Sequence, residues 1–97
     1  MNALGFIEVP FWSITAVVAD EVAKASGVRI LGFDPSGTEE IVIRVAGGVA
    51  EISAALETAQ TTAGRLGVKC IGTRLARPHA DFDQLYAGPN SYNALYE

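Results

Sequence analysis

The chain has 97 residues, 49% of them apolar and 19% charged, with a formal charge of −4. This length holds one domain, which at this size buries only about 60 to 70% of the surface its unfolded form exposes and leaves apolar surface for association. The acidic balance and the lack of a Lys/Arg cluster argue against a nucleic-acid binder, and no apolar run approaches the roughly 20 residues of a membrane-spanning helix.

Leu4 to Val9, LGFIEV, predicts a first strand that Pro10 ends by removing an amide donor. Ser13 is placed to cap a helix in which Ile14, Val18, Val22 and Ala25 form one stripe. Asp20 and Glu21 precede Lys24 by four and three residues, and Gly27 serves as a left-handed stop. Val28 to Phe33 and Glu40 to Val45 are β-branched or aromatic runs that predict two strands of a hairpin. Gly47-Gly48 breaks the second run, and Val49, Ile52, Leu56, Ala59, Ala63 and Leu66 then recur at helical spacing until Gly67. Small residues in this longer helix, Gly64 among them, point to close packing on a sheet.

Lys69 to Ala76 predicts a last strand stopped by Pro78, with Asp81 to Tyr86 as a short helical turn. A turn-rich tail over 87–97 retains Tyr92, Leu95 and Tyr96. The order βαββαβ is that of an α+β, ferredoxin-like sandwich, an antiparallel sheet with both helices on one face. The expected organisation is a domain over 1–86 and a tail over 87–97. The opposite sheet face then needs a partner or a polar surface.

The chemistry-bearing residues are sparse. The one histidine, His79, and the one cysteine, Cys70, show no metal-ligand spacing, and no disulfide can form within the chain. Cys70 reads as a small core or half-buried residue with no base nearby in sequence. Ser36 lacks the strand-to-helix Gly-x-Ser-x-Gly setting of a hydrolase nucleophile, and Gly47-Gly48 carries neither a dinucleotide fingerprint nor a P-loop. Glu39 and Glu40 are adjacent, so on an extended strand they point to opposite faces and do not share a substrate. Asp34-Pro35-Ser36-Gly37 matches a type I turn, with Asp first, Pro second and Gly fourth. The chain opens without a basic segment followed by a long apolar run, so a cytoplasmic location is expected.

Taken together, ALGFIE at 3–8, Lys24 within VAKAS, SGTEE at 36–40 and ARPH at 76–79 resemble the bacterial microcompartment shell-protein family. The closest class is the single-domain, hexamer-forming one, and the resemblance runs from about Ala3 to Ala80. It implies a non-enzymatic protein without cofactor, a cyclic homo-hexamer whose flat tiles meet edge to edge around an enzyme-filled compartment. The implied partners are other copies of the chain, other shell proteins of the same compartment and the enclosed enzymes.

By the same resemblance, Lys24 and Arg77 are edge residues that meet a neighbouring tile, with His79 close to that edge. Gly37, Thr38 and Glu39 line a central pore. Three residues depart from the family pattern: Glu39 stands where many relatives carry a small residue, Pro35 stiffens the approach, and Ala76 replaces a proline. Six Glu39 carboxylates spaced at roughly 8 Å would each repel a neighbour by about 0.5 kcal/mol in water, so the ring needs compensation. Read without the resemblance, Lys24 is a solvated helix lysine paired with Asp20 and Arg77 a loop arginine. A ferredoxin-like regulatory or small-ligand-binding oligomer and a small enzyme using acidic residues are the competing readings.

Overall fold

A computed structural model describes residues 3–76. The elements are β1 (Ala3–Pro10), α1 (Trp12–Ser26), β2 (Arg29–Pro35), β3 (Glu40–Gly47), α2 (Val49–Arg65) and β4 (Ile71–Ala76). They build one antiparallel sheet in the order β2-β3-β1-β4. The α+β sandwich with a four-stranded antiparallel sheet is thus as the sequence predicts. The helical turn expected at Asp81 to Tyr86 and the boundary at 86 lie outside the described residues.

Strand alternation and helical period meet in a single core. Ala3, Ile7 and Val9 of β1 and Ile43 and Val45 of β3 point to the helices, where they pack with Val18, Ala19 and Val22 of α1 and Ile52, Ala55, Ala59 and Ala63 of α2. Each fully buried Ile or Val contributes about 1.5–3 kcal/mol relative to exposure. No helix among the described residues is long and apolar enough to cross a membrane.

Three local expectations are corrected. The buried stripe of α1 is Thr15, Val18, Ala19, Val22 and Ser26, while Ile14 is half-buried and Ala25 exposed. Two polar residues sit inside because each hydroxyl donates back to its own helix, Thr15 to the Phe11 carbonyl at 2.8 Å and Ser26 to the Val22 carbonyl at 2.5 Å. Ser13 is not the cap; the helix starts at Trp12 with Phe11 as the N-cap residue, and no side chain caps it. β4 begins at Ile71 rather than Lys69, and β2 runs from Arg29 to Pro35 with a register shift between Ile30 and Gly32.

Gly64 does not serve close packing, because a Cβ there would meet nothing within 4 Å. The close approach is at Gly5, where an added Cβ would lie 2.8 Å from Val45 Cγ2 and 3.1 Å from Ile52 Cγ2. Chemical denaturation of two variants separates these cases. Gly64→Ala is expected to stabilise the fold by about 0.5–1 kcal/mol through helix propensity, and Gly5→Ala to destabilise it by about 1–3 kcal/mol through overpacking.

Candidate functional site

The hairpin between β2 and β3 closes later than the type I pattern suggests. Asp34 and Pro35 belong to β2, paired with Val42 and Ile41, and the loop proper is Ser36 to Glu39. The Ser36 amide donates to the Glu40 carbonyl at 3.1 Å, and Gly37 takes φ 93°, a left-handed turn position that suits glycine. The Ser36 hydroxyl lies 3.1 Å from the Glu40 carbonyl and 3.2 Å from Glu8 Oε2, and the Thr38 hydroxyl donates to Glu40 Oε1. Gly37, Thr38 and Glu39 are brought together at the exposed tip. The two glutamates have separate environments: Glu40 is half-buried opposite Pro10 of β1, whereas Glu39 is exposed.

A backbone bond fastens this tip to the start of α1. The Phe11 amide donates to the Glu39 carbonyl at 3.0 Å. Phe11 itself has φ 65° and ψ 137°, an unusual conformation for a bulky residue. Beside the loop lies a cleft of about 330 Å³ lined by Glu8, Pro10, Glu40, Lys69 and Ile71.

Sequence reasoning missed the ion pair at the base of the hairpin. Arg44 alternates with Ile43 and Val45, which face the helices, so its side chain stands on the other sheet face. It crosses Gly32, its register partner, to place Nε 2.6 Å from Asp34 Oδ2. A Cβ at position 32 would collide with Arg44 Nη2, so glycine makes the crossing possible. Asp34 and Arg44 are only 1% and 4% exposed. Burial pushes the Asp34 carboxyl above its ordinary range, against the downward pull of the Arg44 guanidinium. The available signal was a lone arginine inside the apolar run IVIRVA, ten residues after an aspartate on the partner strand.

Lys24 lies in the last turn of α1, its Nζ 2.8 Å from Asp20 Oδ2, with side chains 68% and 61% exposed. The hydrogen bond and charge of Asp20 raise the Lys24 pKa. A helix rises 1.5 Å per residue, so Lys24 stands roughly 20 Å along α1 from the Phe11 junction with the loop. At that far end Ala76 pairs with Ala3, whereas Pro10 pairs with Glu40 at the loop end. Arg77 and His79 lie outside the described residues.

Other sequence candidates recede. The amide of Gly48 donates to the chain's own Glu51 carboxylate at 2.8 Å, so this glycine pair begins a helix whose first anion is internal. Cys70 is half-buried and burial pushes its thiol up, away from the reactive thiolate. No group of three or more His, Cys, Asp or Glu converges among the described residues.

The family model for the BMC domain matches residues 3–76, every described strand and helix. The chain belongs to the BMC domain family. Among its relatives, carboxysome shell protein CcmK2 of Thermosynechococcus vestitus is 29% identical over 97 residues, spanning 98% of this chain and 93% of the relative. Bacterial microcompartment shell protein PduA of Citrobacter freundii is 27% identical over 85 residues, 87% of this chain and 90% of the relative. The crystal structure of a microcompartment protein from Desulfitobacterium hafniense superposes on 90% of this chain with TM-score 0.77 at 22% identity. This chain spans 47% of that one, about half its length, and the likeness supports the fold.

Within this BMC domain the Asp34–Arg44 pair makes a specific thermodynamic prediction. Removing one partner, as in Arg44→Met, strands a buried charge and is expected to cost about 3–5 kcal/mol. The double variant Asp34→Leu/Arg44→Met is expected to recover most of that loss, because two apolar groups need no desolvation. A double-mutant cycle from denaturant titrations of both single variants and the double variant checks this.

Proposed function

We propose that this chain is a structural subunit of a bacterial microcompartment shell, not an enzyme, and that it works in the cytoplasm as a cyclic hexamer. Its partners are further copies of itself, other shell proteins of the same compartment and enclosed enzymes. Gly37, Thr38 and Glu39 line the central pore, and Lys24, Arg77 and the nearby His79 form the edge where tiles meet. The observation that carries this reading is the placement of the exposed loop and Lys24 at opposite ends of α1. A wedge with one end at an axis and the other at a perimeter needs that separation.

The chemistry of the loop follows from which groups are already engaged. The Glu39 carbonyl accepts from Phe11 and the Thr38 hydroxyl is donated to Glu40. What each copy presents at the tip is therefore the exposed Glu39 carboxylate. A ring of such carboxylates favours cations over anions and holds its charge with help from bound cations or raised proton affinity. The pore thus restrains anionic metabolites relative to neutral or cationic ones.

Two measurements test the two ends separately. Glu39→Gln is expected to raise the passage of anions relative to matched cations several-fold across reconstituted assemblies, and an unchanged preference removes the acidic pore. Lys24→Glu is expected to abolish extended sheets in electron micrographs while the hexamer mass and the melting temperature stay as they are, since the Asp20 pair is exposed. Sheets that persist remove Lys24 from the tile edge.

A further inference from the structure

A second surface beside the loop has chemistry that the pore and the tile edge do not use. Trp12, Thr15 and Ala16 of α1 and Phe33 of β2 line a groove of about 170 Å³. Trp12 is 58% exposed, Phe33 41% and neighbouring Phe11 49%, a concentration of aromatic surface that water does not favour. The groove offers little to a polar metabolite: the Thr15 hydroxyl is donated to Phe11, and the volume falls below the roughly 300–1,000 Å³ of usual ligand sites. It has the size and polarity for apolar side chains of a protein partner.

We propose that this groove receives the Ile71 and Leu66 flank of the next copy around the ring. The inference rests on the hexamer reading above and names the contact that closes it. The Phe11–Glu39 bond puts the groove immediately beside the loop, so wherever six loops gather on an axis, this flank must face a neighbour. Among the described residues the sheet has two edges, β2 and β4, with α1 on the β2 side and α2 on the β4 side. A cyclic ring joins unlike flanks head to tail, so the surface that meets the β2 side is the β4 side.

The β4 side carries matching apolar groups. Ile71 is 46% exposed and Leu66 41%. Ile71 pairs with Glu8, whose carboxylate approaches Ser36, so it sits at the loop end of its own edge, as Trp12 and Phe33 do on the other. The same contact covers the outer side of β2, an edge strand among the described residues, and exposed edges invite indiscriminate pairing.

Trp12 is the sole tryptophan of the chain, so its fluorescence reports on the groove directly. The experiment follows emission and acrylamide quenching of the full-length chain across a concentration series, with sedimentation on the same samples. A solvent-like, readily quenched signal in the dilute chain is expected, followed by a blue shift and a several-fold loss of quenching in step with six-copy assembly. Phe33→Ser and Ile71→Ser are each expected to weaken association at least tenfold, as truncated interface anchors do. An equimolar mixture of the two variants is expected to recover a heterodimer, because one intact groove then meets one intact Ile71.

A six-copy ring whose Trp12 stays as quenchable as in the dilute chain overturns the groove contact and leaves the hexamer standing. Shielding already complete in the dilute monomer assigns the groove to the chain's own residues and overturns the proposal. Shielding that tracks a closed assembly of another size keeps the groove contact and removes the hexamer. A chain that stays monomeric at every concentration overturns both.

Discussion

The hydrogen bond from the Phe11 amide to the Glu39 carbonyl ties the first crossover of the chain to the hairpin loop two elements later. Phe11 adopts a backbone conformation that costs a bulky residue about 1–3 kcal/mol, and such conformations persist where the surroundings over-determine them. They do so here: besides the Glu39 bond, the Phe11 carbonyl accepts from the Thr15 amide at 3.0 Å and from the Thr15 hydroxyl at 2.8 Å. One residue thereby starts α1, holds the loop and places two aromatic rings on the flank beside it. With that junction fixed, α1 acts as a strut whose far end carries Lys24, and the molecule acquires a loop end and a Lys24 end.

The other leg of the loop is held by charge. Arg44 reaches over Gly32 to Asp34, and the pair lies directly beneath Pro35 at the point where β2 gives way to the loop. Two ions in a dry setting are a poor source of net stability compared with apolar residues, but a strict source of geometry, since either ion alone is costly there. The hairpin base is accordingly buried and ion-paired while the tip from Gly37 to Glu39 is open to solvent. The proposed pore would draw on both features, an anchored hairpin base and an exposed Glu39 carboxylate.

Most of the architecture was legible because core periodicity in β1, β3 and both helices is strong enough to survive local exceptions. The exceptions share a cause. Thr15 and Ser26 look like surface residues until their hydroxyls bond to the preceding turn, so the α1 stripe was read one position away. Asp34 is a good turn opener by composition, and only the register of β2 on β3 brings it to Arg44 and makes it a buried strand residue. Gly64 and Gly5 look alike in sequence, yet only Gly5 faces a helix. Of the candidate site, periodicity made Gly37-Thr38-Glu39 a turn and Lys24 a solvated lysine paired with Asp20, which is how the structure places them; their pore and edge roles come from the family resemblance and belong to the proposal. The groove at Trp12 and Phe33 was not legible at all, since an exposed aromatic acquires meaning only once the strand order makes β2 an edge.

The central claim is that the Ser36–Glu39 loops of six copies meet on one axis. A cryo-electron microscopy reconstruction of the assembled full-length chain, calculated without imposed symmetry, tests it most directly. Six-fold density is expected with the loop at the centre and the Lys24 end of α1 at the perimeter. A closed assembly with the loop at the perimeter, or with Lys24 facing the axis, would contradict it.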